Sequence, residues 1–474
     1  MEKFAPPVPV LQQSYADALP ELSVPWRAEA PPRPEIAWLN EPLAAELGFD
    51  ATWLRSEEGL ALLTGQIDAT TAQAYAGHQF GSPNPQLGDG RAVLLGDLVD
   101  PHGRHRDLHL KGSGRTPFAR GGDGKAPLGP MLREAVIGEW LHATGVPTSR
   151  ALAVVSTGEQ IAPRQGVTPE PGALLVRVAA SHLRVGTFEY ATWHLDEEVR
   201  ARLVEFTIRR HHPSAEGPLG LLEAVTRAQA ELVARWMLLG FVHGVMNTDN
   251  MALSGQGIDY GPCAVLDVHR RGAVFSSIDR GGRYAYGSQP GIALWNLSRF
   301  AETLLPLLEA TDPNVAVEQA TAVLEQYEGW YQQAWTRQLA GKLGIRDDVE
   351  GVSALGQELF TLLEEQQVDH TGFFRALGEG RAAELVAGAS FAQWMQRWEP
   401  RRSATPAEMA RRNPLYIPRN VHLEVALRSA HLGDLGPVRE LLGAVSAPFT
   451  RRTGLEHLEG PGDGGEHFLT FCGT

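Results

Sequence analysis

Hydrophobic positions are distributed differently in the two halves of this chain. Up to about residue 175 they come in short runs punctuated by Gly and Pro, among them Ala92-Val93-Leu94-Leu95, Leu108-His109-Leu110-Lys111, Ala153-Val154-Val155 and Leu174-Leu175-Val176-Arg177-Val178. Runs of that length bounded by turn residues predict strands. One helical stretch interrupts them, opening at Leu132-Arg133-Glu134 and running to about His142. From about residue 195 helical spacing takes over: 221–241 predicts a long helix, 304–343 further helices, and 421–432 and 435–442 short ones. The Gly-rich end, 460–474, predicts a mobile tail. No internal repeat is visible. The pattern calls for an α+β protein with a mainly β unit followed by a helical one.

The long predicted helix delivers the chain to His243-Gly244-Val245-Met246-Asn247-Thr248-Asp249-Asn250, and nine positions after Asn250 comes Asp259-Tyr260-Gly261. The apolar runs Met251-Ala252-Leu253 and Ala264-Val265-Leu266 and the turn residues Ser254-Gly255-Gln256-Gly257 predict a hairpin that returns Asp259 to Asn250. Two oxygen ligands with room for phosphate and water suit Mg²⁺. This pairing of a catalytic loop with a metal-binding Asp-aromatic-Gly turn is how kinase-like folds handle a nucleotide. In such folds a strand lysine contacts phosphate and is held by a carboxylate on the next helix. Lys111 and Glu134 fit those roles, although Lys111 also fits a strand-end surface charge. The chain has four lysines, Lys3, Lys111, Lys125 and Lys342, among 42 basic residues. A lysine kept in so Arg-rich a sequence suits a compact ammonium on phosphate.

Composition narrows the class. The length of 474 residues, with 43% hydrophobic content, allows two or three structural units around a sizeable core. A net charge of -14 argues against general nucleic-acid or anionic-membrane binding. The N-terminus has no basic segment followed by an apolar run, and no segment is long and apolar enough to span a bilayer, so a soluble cytoplasmic protein is expected. Two cysteines exclude a disulfide scaffold and a four-cysteine zinc site.

Several longer motifs add to the loop and the turn: Tyr75-Ala76-Gly77-His78-Gln79-Phe80-Gly81, Gln86-Leu87-Gly88-Asp89-Gly90-Arg91, Lys111-Gly112-Ser113-Gly114 and Asn413-Pro414-Leu415-Tyr416-Ile417-Pro418-Arg419-Asn420. With residues 243–261 they give a chain that resembles the selenoprotein O family along most of its length. Members of that family are kinase-fold proteins that resemble protein adenylyltransferases rather than kinases. The resemblance implies a two-lobed kinase-like fold: an extension over 1–70, a nucleotide lobe over 71–190, a mainly helical catalytic lobe over 191–400, and a C-terminal extension and tail over 401–474.

It also implies roles. Gly88, Gly90, Arg91, Lys111, Asp123 and Gly124 would surround ATP; by spacing alone the two glycine segments also fit surface turns, and neither is a Walker loop. Arg177 and Arg184, which by pattern alone also fit solvated edge charges, would reach the terminal phosphates of an ATP bound in reverse. That places the α-phosphate toward the acceptor. Asp249 would be the general base, weak at an ordinary pKa near 4, while Asn250 and Asp259 would hold Mg²⁺ or Mn²⁺. The implied reaction is transfer of AMP from ATP to Ser, Thr or Tyr hydroxyls of proteins, with pyrophosphate released; use of UTP stays open. Protein kinases space their catalytic Asp and metal-binding Asn five positions apart, whereas Asp249 and Asn250 are adjacent. A kinase-like phosphotransferase and a nucleotide-binding pseudokinase scaffold remain the alternatives.

His243, closing a helix before a polar loop, reads as structural, and Asn247, His78 and the pair His211-His212 show no complete metal-ligand pattern. The 75–81 motif marks the family without declaring a chemistry. The resemblance makes Cys472 the counterpart of a selenocysteine. A Cys263–Cys472 disulfide would then tie the tail to the segment after Asp259-Tyr260-Gly261 as a redox switch; a small buried Cys263 and a disordered Cys472 thiol are the other reading.

Overall fold

The computed structural model describes residues 8–161, 168–308, 312–346, 349–462 and 468–470. Among the described residues up to 179 there are nine strands: β1 (Ser23–Pro25), β2 (Glu35–Leu39), β3 (Thr71–Gln73), β4 (Gly77–Gln79), β5 (Ser82–Asn84), β6 (Ala92–Val99), β7 (His105–Lys111), β8 (Arg150–Ile161) and β9 (Glu170–Ala179). β4 and β5 make a separate hairpin. The other seven form one sheet in the order β1-β3-β6-β7-β9-β8-β2, antiparallel at every pairing. The fold mixes α and β, as expected, and β1 and β2 are the edges of the sheet.

Register sets up the site. His109 lies opposite Arg177 and Lys111 opposite Leu175. Side chains alternate faces along a strand, so His109, Lys111 and Arg177 share one face. Leu108, Leu110, Val176 and Val178 take the other and pack in a core with Leu43, Leu47 and Leu54. Burying each such side chain contributes about 1.5–3 kcal/mol. A slip of one residue would turn Lys111 and Arg177 into the apolar core and the leucines toward Glu134, so the register is strongly specified.

The helix Leu128–Ala143 crosses the polar face and is buried at every position from Met131 to Leu141. It is covered by β8 and β9 on one side and by the helices Asn420–His431 and Gly436–Val445 on the other. It starts four residues before the predicted Leu132. Gly129 and Pro130 read as breakers, yet Pro is tolerated in a first turn because N–H groups there have no helical acceptor. The long helix spans Gly217–Leu239 and ends at Gly240, whose φ of 69° is left-handed. Phe241–Val242 (β10) then pairs with Ala264–Val265 (β11). The predicted hairpin between the loop and the turn is reduced to one bridge, Met251 to Gly257. Helices Gln289–Leu304 and Tyr327–Leu343 pack on the long helix.

The tail departs from expectation. Thr470 bridges Ser276, and its hydroxyl donates to the Pro262 carbonyl at 2.6 Å, so this part is held where mobility was predicted. Cys472 lies outside the described residues. Among the described residues no helix is long and apolar enough to cross a membrane.

Candidate active site

Four charged side chains from four elements close a ring. Lys111, at the end of β7, donates from Nζ to Glu134 Oε2 at 2.7 Å and to Asp259 Oδ1 at 2.8 Å. Arg177, on β9, donates from Nη1 to Glu134 Oε1 at 3.1 Å and to Asp259 Oδ1 at 2.7 Å. Cations and carboxylates alternate, so neither pair of like charges is left uncompensated. Lys111 and Arg177 are both buried. That corrects the readings of Lys111 as a surface charge and of Arg177 as a solvated edge charge. Asp259 has a φ of 62°, a strained value for a residue with a side chain.

Two stacked histidines hold Arg177 from behind, their ring centroids 4.2 Å apart. His182 Nε2 accepts from Arg177 Nε at 3.2 Å, leaving Nδ1 as donor to Asp107 at 3.3 Å. His109 Nδ1 faces Arg177 Nη2 at 3.4 Å and Nε2 faces Asp89 at 3.0 Å. Both rings are neutral in this arrangement, and burial lowers both pKa values. Four of the five guanidinium N–H groups are thereby used, leaving one for a ligand. No sequence pattern marks Asp89, His109, Asp107 or His182 for this support: Asp107 and His109 lie on β7, Asp89 and His182 lie outside the strands, and only the fold brings the four together behind Arg177.

Arg184 is also buried, against the edge-charge reading. Its guanidinium lies over the Tyr75 ring at 4.2 Å and donates to the His182 carbonyl at 3.0 Å and the Asp249 carbonyl at 3.2 Å. Nη2 is buried without a partner. An orphaned guanidinium N–H in a cavity wall suits an anion.

The two acids of the site differ. Lys111, Arg177 and Arg184 oppose the desolvation of Asp259 and hold its carboxyl well below the usual range. Asp249 has no cation on its carboxylate, and burial pushes it up to about 7. The assumption of an ordinary value near 4 is therefore corrected. Asn250 donates from Nδ2 to the Val245 carbonyl at 3.0 Å, which turns Oδ1 the other way. Asn250 and Asp259 line the same cavity. Among the described residues no cluster of three or more His, Cys, Asp and Glu could hold a metal alone. Two oxygens fit a hard cation only if phosphate and water complete its shell.

That cavity measures about 670 Å³ and is lined by Gly88, Gly90, Arg91, Lys111, Asp123, Gly124, Arg177, Arg184, Asp249, Asn250 and Asp259. Both glycine segments line it, and residues 120–123 of the second are also exposed. Gly124 has a φ of 73°, and a Cβ there would stand 2.0 Å from the Gly114 carbonyl oxygen. The wall carries seven Lys and Arg (91, 111, 115, 120, 125, 177 and 184) against four Asp (89, 123, 249 and 259). In a chain of net charge -14 this is a local positive excess, which favours a polyphosphate.

His243 is structural, as read: its Nε2 meets the Ile258 carbonyl at 2.9 Å and its Nδ1 accepts from Val245 N at 3.4 Å. His211 bonds Ser181 and His212 the Leu253 carbonyl, without a metal cluster among the described residues. Cys263 is fully buried, donates to the Tyr260 carbonyl at 3.1 Å, and has its thiol pushed up to about 12 by burial.

Known proteins are similar to this chain along nearly its whole length. The family model described as "Protein adenylyltransferase SelO" matches residues 9–445. A protein of Mycolicibacterium smegmatis named "Protein nucleotidyltransferase YdiU" is 51% identical over 480 residues, covering 98% of each chain. Proteins of the same name from Cereibacter sphaeroides and Chromobacterium violaceum are 50% and 49% identical, over 97% and 96% of this chain and 98% and 100% of theirs.

Proposed function

The chain belongs to the SelO family of protein adenylyltransferases and is a nucleotidyltransferase, and from that premise we propose how its own residues move AMP from ATP to a protein hydroxyl. The observation that carries the reading is the convergence of Lys111, Arg177 and Arg184 on Asp259 in a cation-rich cavity that also holds Asp249. A kinase-like two-lobed fold, divided at about residues 70, 190 and 400, would place this cavity between the nucleotide and catalytic lobes.

The acceptor oxygen attacks the α-phosphorus of ATP and its proton passes to Asp249. The bond from that phosphorus to the oxygen bridging toward the β-phosphate breaks, and pyrophosphate leaves with the electron pair. A base near pH 7 is better matched to this task than an ordinary carboxylate. Arg184 Nη2 and the remaining N–H of Arg177 take up charge on the leaving pyrophosphate, and Lys111, held by Glu134, fixes a phosphate oxygen. Gly88, Gly90, Arg91, Asp123 and Gly124 form the wall for the rest of the nucleotide. Asn250 Oδ1 and the Asp259 carboxylate would hold Mg²⁺ or Mn²⁺, which supplies charge neutralisation across the phosphates when bound.

Labelled ATP tests the reaction. Protein should retain label from the α-phosphate and none from the γ-phosphate. Label from the γ-phosphate alone would mean phosphorylation, and nucleotide binding with neither label would mean a scaffold.

A further inference from the structure

The 75–81 motif acquires a chemistry from its position. β4 and its flanks fold onto the catalytic loop, and three consecutive hairpin residues each bond one of three consecutive loop residues. His78 N donates to Thr248 Oγ1 at 2.6 Å, Gln79 Nε2 to Asp249 Oδ2 at 3.4 Å, and Phe80 N to Asn247 Oδ1 at 3.0 Å. Thr248 in turn donates to Glu189 at 2.7 Å, and the other Glu189 oxygen meets His78 Nδ1 at 2.6 Å. Trp193 and Trp295 stand edge-on to the His78 ring at 5.7 and 5.5 Å. The grip is braced from behind.

Gly77 explains how closely the hairpin approaches. A Cβ there would stand 2.7 Å from Asp249 Oδ1 and 3.0 Å from Asp249 Cβ. Oδ1 is buried and accepts no hydrogen bond, while Oδ2 receives one side-chain donor, Gln79. The terminal torsion of an Asp side chain has broad wells, so an unheld carboxylate turns easily. Gln79 lines the cavity beside Asp249 and is the group that can stop it turning.

We propose that Gln79 is a positioning residue of the transfer reaction: it holds Asp249 by Oδ2 in the orientation that receives the acceptor proton. The inference rests on the AMP-transfer reading above. It makes the hairpin part of the machinery rather than packing.

The test compares full-length wild type with Gln79→Met, which keeps the length and loses the donor, and with Gln79→Glu, which keeps the shape and adds charge. Incorporation from α-labelled ATP into a fixed extract of cellular protein is followed against ATP concentration. Binding of ATP is measured separately by calorimetry. Gln79→Met should lower the maximal rate about 10- to 100-fold, as for a misplaced catalytic group, with ATP affinity within twofold, and Gln79→Glu should lose at least as much. A crystal structure of Gln79→Met should show Asp249 in more than one orientation. A rate within twofold of wild type in Gln79→Met, equal losses of rate and ATP affinity, or an unmoved Asp249 would each overturn the proposal. A wild-type protein that transfers no AMP would overturn the transferase reading instead.

Discussion

Asp249 and Asp259 stand ten positions apart and line the same cavity, yet their surroundings are opposite. Around Asp259 the chain has gathered Lys111, Arg177 and Arg184, and its carboxyl stays ionised far below neutral pH. The Asp249 carboxylate instead meets the Gln79 amide and the Gly77 backbone, and Arg184 bonds only its backbone carbonyl. There burial dominates and the carboxyl titrates near 7. One acid is fixed as an anion and the other is free to take a proton. Two residues of one type suit the two proposed roles because their neighbours push their pKa values apart.

The largest effect should come from removing the fixed anion. Asp259→Ala removes a proposed metal ligand and the shared partner of Lys111 and Arg177, so AMP transfer should fall on the order of 10,000-fold or more. A melting curve checks that the protein remains folded; near-wild-type activity would remove Asp259 from the reacting centre. Asp249→Asn keeps the shape and loses the base. Transfer should drop about 100- to 1,000-fold, and ATP binding, which depends on the other acid, should persist in a calorimetric titration.

Replacing Arg184 or Arg177 by Lys keeps the charge and loses the planar fork, which should cost about 10- to 100-fold in transfer. Adenosine binding should not change, since adenosine carries no phosphate; equal loss of adenosine and ATP would instead indicate a damaged fold. The smallest effect is in pH dependence. As the proposed base, Asp249 acts in its ionised form, and its pKa is raised, so kcat/KM should be level above about pH 7 and fall roughly tenfold per pH unit below it. Asp249→Asn should abolish that limb, and a limb near pH 4 would show that burial does not govern this carboxyl.

Much of the site was legible in the chain because its residues sit in local motifs. Lys111 ends a strand whose alternation is plain, Glu134 lies on the next helix, and Asp249, Asn250 and Asp259 occupy one short segment. The positions of Gly88, Gly90, Asp123 and Gly124 carried a weaker local signal, since glycine clusters also make ordinary turns. The Lys111–Glu134 pair was expected and is present at 2.7 Å; that Arg177 joins it on both Glu134 and Asp259 could not be read. By pattern alone Arg177 and Arg184 also fitted edge charges, because a strand shows alternation but not what covers each face, and the short segment that follows it to Arg184 shows no periodicity at all.

Sequence alone determined the change from a strand-rich to a helix-rich half, four of the strands, the polar loop and turn, and the family, because periodicity, turn residues and long motifs are properties of neighbouring positions; the short helices at Glu41–Leu47 and Glu57–Leu63, inside the half read as mainly β, were not among them. Tertiary structure decided the rest. The ring of Lys111, Glu134, Arg177 and Asp259, the histidine pair behind Arg177 and the 75–81 hairpin on Asp249 join positions as far as 170 residues apart. Whether a buried carboxyl is held ionised or pushed toward neutral pH depends on the charges and donors packed around it in space, and spacing along the chain does not encode that distance.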